Sequence, residues 1–400
     1  MERTIYREIK ATRRVWELAV ILAFFVAAAI GAATYVDHFG HIVTGMTNRI
    51  SWGLPHVFAI FLIVAASGAL NVASIASVFG LAPYKPMARL SAVLAISLLV
   101  GGLAVLVLDL GRPDRLIVAM TKYNFSSIFA WNLLLYSGFV AVVGVYLFVQ
   151  MSPGMSEKAV RFVGTLAFLW RLALTTGTGS IFGWLVARPG YDAAIMAPLF
   201  VAMSFSLGLA VFILVVSALC RLSGRPIGPN LLRRLARLLA IFAALVLYFT
   251  TVRHLTNLYA AEHAGYERFV LATGGIYTAL FWGGQVALGG LLPIAMIFHP
   301  KFGRRSFVPA LASGLIILGG FAQLYVIVVG GQAYPMELFA GYDVISDFSY
   351  GAVASYRPSL PELLLGLGGV AMALLATGLG VKILRILPTS LSDGNVGQPG

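Results

Sequence analysis

Charge is what this sequence has least of. Asp, Glu, Lys and Arg make up 11% of its 400 residues, against roughly 25% in an ordinary soluble domain. The 60% that are hydrophobic fall in unbroken runs of about twenty or more, without the one-faced or alternating patterning of a water-soluble core. A soluble fold is thereby excluded. Cysteine is nearly absent: the single Cys220 excludes an internal disulfide and cannot hold an iron–sulfur cluster, which takes about four ligands. Any such cluster has to sit on a partner. A phosphate-binding loop, a dinucleotide fingerprint and a metalloprotease helix are also missing, and no metal site is expected. The formal net charge of +13 does not point to nucleic acid, because the basic residues lie in short segments between apolar runs, where they orient a membrane protein.

Ten apolar runs are present, at 15–36, 52–80, 87–110, 124–150, 160–186, 193–220, 237–258, 269–298, 307–330 and 361–386. Each is long enough to cross roughly 30 Å of hydrocarbon. The first follows a charged stretch and is followed by nine others, so it reads as an anchor helix and not as a cleaved signal. The expected fold is an all-α polytopic membrane protein forming a single integral membrane domain over 1–400. Within it, 15–36 is an extra N-terminal helix, 52–186 a first four-helix bundle (helices 2–5), and 193–330 a second (helices 6–9). An external loop at 331–360, carrying Glu337, Asp343 and Asp347, precedes an extra C-terminal helix at 361–386. With the N-terminus inside, inner segments carry nineteen Lys and Arg and outer loops eight, Arg171 within a helix being the last of 28. That imbalance places both ends in the cytoplasm of an inner-membrane protein.

This topology puts His38, His41, His56, His254 and His263 at the outer face and only His299 at the inner one. In helix 2, His56, Ser67, Asn71 and Ser74 share an arc of about 60° at roughly 100° per residue. The lower three suit helix packing, whereas His56, in the first turn beside Trp52 and Pro55, can reach a polar headgroup and titrate. The outer end of helix 3 carries Asp109, Gly111, Arg112, Pro113, Asp114 and Arg115, a tight turn whose charges can also pair among themselves. Beyond it lie Lys122, Tyr123, Asn124, Ser126 and Ser127 at the outer start of helix 4. Together with His56 they suit a quinone, whose two carbonyls need hydrogen bonds and protons while its ring and tail need apolar walls. His254 is the other histidine at an outer helix end. Arg171, roughly 16 Å deep, shares a helix face with Thr175 and Thr178; this reads either as a hydrated polar path or as pairing with a backbone carbonyl. Facing histidines of the kind that hold a membrane haem are not evident, and no intrinsic haem or cluster is expected.

The Trp-Gly-Leu-Pro-His start of helix 2 (52–56), the Asp-Leu-Gly-Arg-Pro turn (109–113) and Asn-Phe-Ser-Ser (124–127) together resemble the NrfD/PsrC family of quinone-interacting membrane subunits. The ten-helix form is most similar to the DsrP and HmeB branch and to the related subunits of alternative complex III. The resemblance implies a cofactor-free subunit that binds menaquinone or ubiquinone near the periplasmic face and exchanges electrons with a periplasmic ferredoxin-like iron–sulfur subunit. For the DsrP branch it implies the DsrMKJOP complex of dissimilatory sulfur metabolism, with cytochrome b, cytochrome c and cytoplasmic iron–sulfur partners. It carries the family's quinone-contacting histidine and tyrosine to His56 and Tyr123. Residues expected to act are His56, Asp109 and Arg112, with Tyr123, Asn124, Ser127, Asn71 and His254 around the quinone. A secondary transporter and a passive membrane anchor for redox partners are the competing readings.

Overall fold

A computed structural model describes residues 5–336 and 352–393. Ten of its helices are long and apolar enough to cross a membrane: α1 Arg13–Phe39, α2 Leu54–Ser77, α3 Ala82–Leu108, α4 Ile128–Met151, α5 Glu157–Gly183, α6 Met196–Ser223, α7 Pro229–Tyr259, α8 Ile276–Phe298, α9 Val308–Ala333 and α10 Leu360–Ile383. The chain is therefore a multi-pass, all-helical integral membrane protein. Helices are the solution lipid imposes, because each backbone donor finds its acceptor within the same segment. The expected external loop lies largely outside the described residues, and so do Glu337, Asp343 and Asp347.

Two helix starts differ from the apolar runs for local reasons. The run from 124 becomes helical only at Ile128, since Ser127 is extended and the Ser126 amide is taken by the Asn124 side chain at 3.0 Å. The run from 269 is interrupted at Gly274 and Gly275, the latter at φ 59°, a conformation that glycine adopts without strain.

The centre is formed by α2 and α6, with 83% and 78% of their most apolar windows buried. These two contact each other, and between them they contact α3, α5, α7, α9 and α10. At their crossing Gly68 meets Ser204 and Gly208 so closely that a Cβ on either glycine would collide with the opposing backbone. Small residues allow such approach between membrane helices, where packing and not hydrophobic exclusion drives association. The periphery differs: only 17% of the corresponding window of α1 is buried, and its main neighbour is α10.

Helix α2 is broken at Leu70, between segments Leu54–Ala69 and Asn71–Ser77. The freed backbone groups are satisfied by Ser91 of α3, whose Oγ donates to the Ala69 carbonyl (2.6 Å) and accepts from the Ala73 amide (3.1 Å). With Ser91 wholly buried, Ser91→Ala leaves a donor and an acceptor without partners in hydrocarbon. We expect a loss of ~1–3 kcal/mol, read as a lower unfolding midpoint in detergent; an unchanged midpoint would mean that the break is satisfied otherwise.

The first and last described segments lie on one face. The strand β1 Tyr6–Arg7 pairs antiparallel with β2 Leu387–Pro388. Arg225, from the basic segment between α6 and α7, donates to the carbonyls of Leu387, Pro388, Arg7 and Glu8 at 2.7–3.1 Å. This is the terminal face below; the other is the opposite face.

Candidate functional site

At the opposite face three chain segments converge on Asp109. The residue ends α3, and its side chain is almost fully buried. His41 stands in a single 3-10 turn after α1 and donates from Nε2 to the Asp109 carbonyl oxygen at 3.0 Å. Its ring also comes within 4.0 Å of Asp109 Oδ1. His56 occupies the first turn of α2, with Nδ1 3.4 Å from Asp109 Oδ2, inside ion-pair reach but off hydrogen-bond geometry. Burial, reinforced by the Glu362 carboxylate, pushes the Asp109 carboxyl up to about 7. A carboxyl so placed exchanges protons near neutrality.

Asp109 separates two clefts. One, of about 460 Å³, is lined by His41, Met46, Ser51, Trp52, His56 and Asp109, among others. The second, of about 350 Å³, runs between α1 and α3 past Ala33, Val36, Val107 and Leu108. His41, Asp109, Leu110 and Gly111 are common to both. The walls thus change from mainly polar to mainly aliphatic across one side chain, with Thr34 and Asp37 of α1 as the polar residues that the second cleft adds. Trp52 lies roughly parallel to His56 on one side (6.4 Å, 27°) and to Tyr191 on the other (6.1 Å, 25°), which orders the cleft wall.

Residues far along the chain hold the start of α2 in place. Gln332 of α9 accepts from the amides of Ser51 and Trp52 (3.0 Å each) and donates to the Trp52 carbonyl (3.0 Å). Arg188 bridges the carbonyls of Gln332 and Arg49. Glu362, fully buried on α10, accepts from the Gly45 amide (2.9 Å), the Ser359 amide (2.7 Å) and Tyr356 Oη (2.6 Å). Tyr356 Oη in turn accepts from the Leu54 amide (2.6 Å). Burial, then the bond to Glu362, push the Tyr356 phenol far up, so it stays a donor to that carboxylate. A Cβ at Gly53 would collide with Glu362 Oε1 and Tyr356 Oη. The glycine of the Trp-Gly-Leu-Pro-His start is thus a close-approach residue.

The remaining sequence candidates do not line these clefts. Arg112 is exposed and lies 3.5 Å from Asp114, because the loop carries it outward and its charge pairs locally. Tyr123 donates to the Ala130 carbonyl; Asn124 and Ser127 belong to the same turn ahead of α4. Asn71 lies deep in the helix bundle and donates to the Phe205 carbonyl of α6 at 3.1 Å. His254 belongs to a separate buried cluster in the second half, 2.5 Å from Glu267 Oε2, with Asn257 on Oε1 at 2.9 Å. Arg171 Nη1 donates to Ser67 O at 3.1 Å, and the guanidinium lies 5.0 and 4.9 Å from the Phe168 and Phe205 ring centres. Thr175 contacts Ser67 at 3.0 Å, and Thr178 contacts Asn132 and Tyr136 at 3.4 and 3.3 Å.

Sequence reasoning passed over His41 as a site residue, and Glu362, Tyr356 and Gln332 entirely. One signal was there to be read: Ser359 and Glu362 form the reciprocal cap of a Ser-x-x-Glu motif, which marks a helix start whose carboxylate points back toward the loop.

The fold and cleft define a ten-helix membrane protein whose titratable groups open on one face beside an aliphatic passage. The profile of the NrfD family, described as "Polysulphide reductase, NrfD", matches residues 42–336, well over half of the chain. The chain belongs to that family. It is similar to the Hdr-like menaquinol oxidoreductase integral membrane subunit of Archaeoglobus fulgidus, at 29% identity over 377 residues covering 92% of this chain and 93% of the relative. It is also similar to a subunit of the selenate reductase of Mesobacillus selenatarsenatis (22% over 384 residues, 87% and 88% covered). The protein NrfD of Escherichia coli is 24% identical over 316 residues, 71% of this chain and 96% of the relative.

Proposed function

We propose that the chain is the membrane subunit of a respiratory redox complex and binds quinone or quinol in the clefts around Asp109. The observation that carries this reading is the placement of Asp109 between two histidines, at the boundary of a polar and an aliphatic cleft. A quinol brings two electrons, two protons and a long apolar tail, and the two clefts suit its head and tail respectively. His56 and His41 would hydrogen-bond the head, and Asp109 would take up or release a proton at its carboxylate. The tail would lie between α1 and α3, open to lipid.

The charge asymmetry of nineteen against eight argues that the terminal face is cytoplasmic and the cleft periplasmic. With only Cys220 available, electrons would pass to or from a partner carrying iron–sulfur clusters, expected to be ferredoxin-like and docked on the cleft side. The name of the Archaeoglobus relative favours menaquinol as the quinone. Coverage of 92% of this chain and 93% of that relative supports a relative of the same overall length, as membership of the ten-helix DsrP and HmeB branch, with its role in sulfur metabolism, requires.

The test is quinone retention. Purified in mild detergent, the wild type is expected to carry bound quinone and to be labelled at the cleft by a photoreactive quinone. His56→Ala should lower both by at least about tenfold, since it removes a buried polar partner and part of the cleft wall. Equal labelling of the variant, or labelling confined to the His254 region, would sink the assignment.

A further inference from the structure

The periphery of the molecule holds a site of another kind, on the terminal face and far from Asp109. Helix α1 is buried only toward its far end, at Ala29, Ala32, Ala33 and Val36, where Ala29 presses on Gly368 of α10. Its first four turns have no fully buried residue. They are only partly covered, Val15 packing against the core, and they border a groove of about 460 Å³ between α1, α6 and α10. The walls are aliphatic, including Val15, Leu18 and Leu22 of α1, Leu219 of α6, and Leu375 and Leu379 of α10. Gly378 lines the groove, and a Cβ there would meet nothing within 4 Å.

The mouth is chemically distinct from the walls. Among the described residues Lys382 is the only charged one in the lining, and its Nζ makes one long contact with them, 3.4 Å, to the Ile9 carbonyl. Trp16 lines the same groove, largely exposed, as an aromatic anchor lies at headgroup level. Of the nearby acids, Glu8 pairs with Arg385 (3.4 Å) and Glu17 with Arg13 (2.8 Å). Lys10, Arg14 and Lys382 therefore have no carboxylate within ion-pair reach among the described residues. An aliphatic slot with one cation, Lys382, at its membrane-surface end matches a lipid with an anionic head in shape and charge.

We infer that this groove is a binding site for an anionic phospholipid of the leaflet on the terminal face, with an acyl chain between α1 and α6 and its phosphate at Lys382. The lipid would fill the wedge that α1 leaves open and join it to the body through α10. A zwitterionic lipid offers the same acyl tail with a compensated head, so the charge at the mouth favours the anionic class.

The experiment uses the full-length protein in nanodiscs containing phosphatidylglycerol and phosphatidylcholine, followed by gentle delipidation and native mass spectrometry. One phosphatidylglycerol is expected to stay with the wild type. Lys382→Gln should reduce its retention by about fivefold, as for one cation near the surface, and Gly378→Trp, which fills the slot, should abolish it with Lys382 intact. Lys382 is a helix-end residue, so its substitution tests the site even if the tryptophan variant fails to fold. Equal retention of phosphatidylcholine would overturn the proposal, as would loss of the lipid to free inorganic phosphate or unchanged retention in Lys382→Gln. So would a structure of the intact complex with a partner's helix seated in the groove.

Discussion

Asp109→Asn is expected to slow quinol-linked electron transfer by roughly 10²–10⁴-fold, the range over which a positioned acid–base group contributes. Asparagine keeps the size and the backbone acceptor used by His41, so the cleft should persist and quinone should still bind. What is lost is a carboxyl poised at about 7 by burial and by Glu362. In the wild type, quinol oxidation should therefore rise with pH through about 7 as the carboxylate forms, and the variant should lack that step. Stability should move the opposite way. A carboxyl raised from 3.8 in the unfolded chain stabilises the fold fully below that value, and the contribution is lost as pH rises through about 7. The asparagine variant should therefore gain stability relative to wild type between about pH 4 and 8. An activity profile without a step, or a stability difference that does not change with pH, would remove Asp109 from the proton-exchange role.

The second large effect is structural. Glu362→Ala should destabilise the protein by ~3–5 kcal/mol, because it leaves buried donors without their anionic acceptor. Three of them converge on that carboxylate: the Gly45 amide, the Ser359 amide and Tyr356 Oη. Through Tyr356, which also accepts from the Leu54 amide, the damage reaches the first turn of α2 and hence His56. Unfolding in detergent would measure the stability loss, and quinone retention the displacement of His56. Glu362→Gln, which can still accept two of the three hydrogen bonds, should retain more of both. If alanine and glutamine behave alike and close to wild type, the carboxylate does not organise the cleft.

The comparison of these two residues shows how far the sequence can be read. Ten spans follow from hydropathy alone, since lipid demands about twenty apolar residues per crossing. Asp109 and His56 are conspicuous because each is a titratable residue at the end of an apolar run. Glu362 has the same chemistry, yet it reaches Gly45 across 317 residues of sequence, and no periodic pattern encodes such a meeting. Gln332, holding the backbone at Trp52 across 280 residues, is hidden for the same reason. Local turns are a different case. Tyr123 and Asn124 are conspicuous because they are polar and close in sequence to the outer helix ends, and their hydrogen bonds run to Ala130 at the start of α4 and to Ser126 in the turn before it. Arg171 shows the remaining limit: burial was legible from its place in an apolar run, whereas its bond to the Ser67 carbonyl depends on another helix.

The pairing of α1 with α10 bears on how the protein is made. Helix α1 finds its main neighbour in α10, more than three hundred residues further along the chain, and the strand pair Tyr6–Arg7 with Leu387–Pro388 closes the same circuit. Until α10 has been made, α1 has only lipid around most of its surface. Contacts of such sequence separation form late. Insertion should therefore include a late docking step in which α1 and α10 meet, and polypeptides halted before α10 should carry α1 loose in the bilayer.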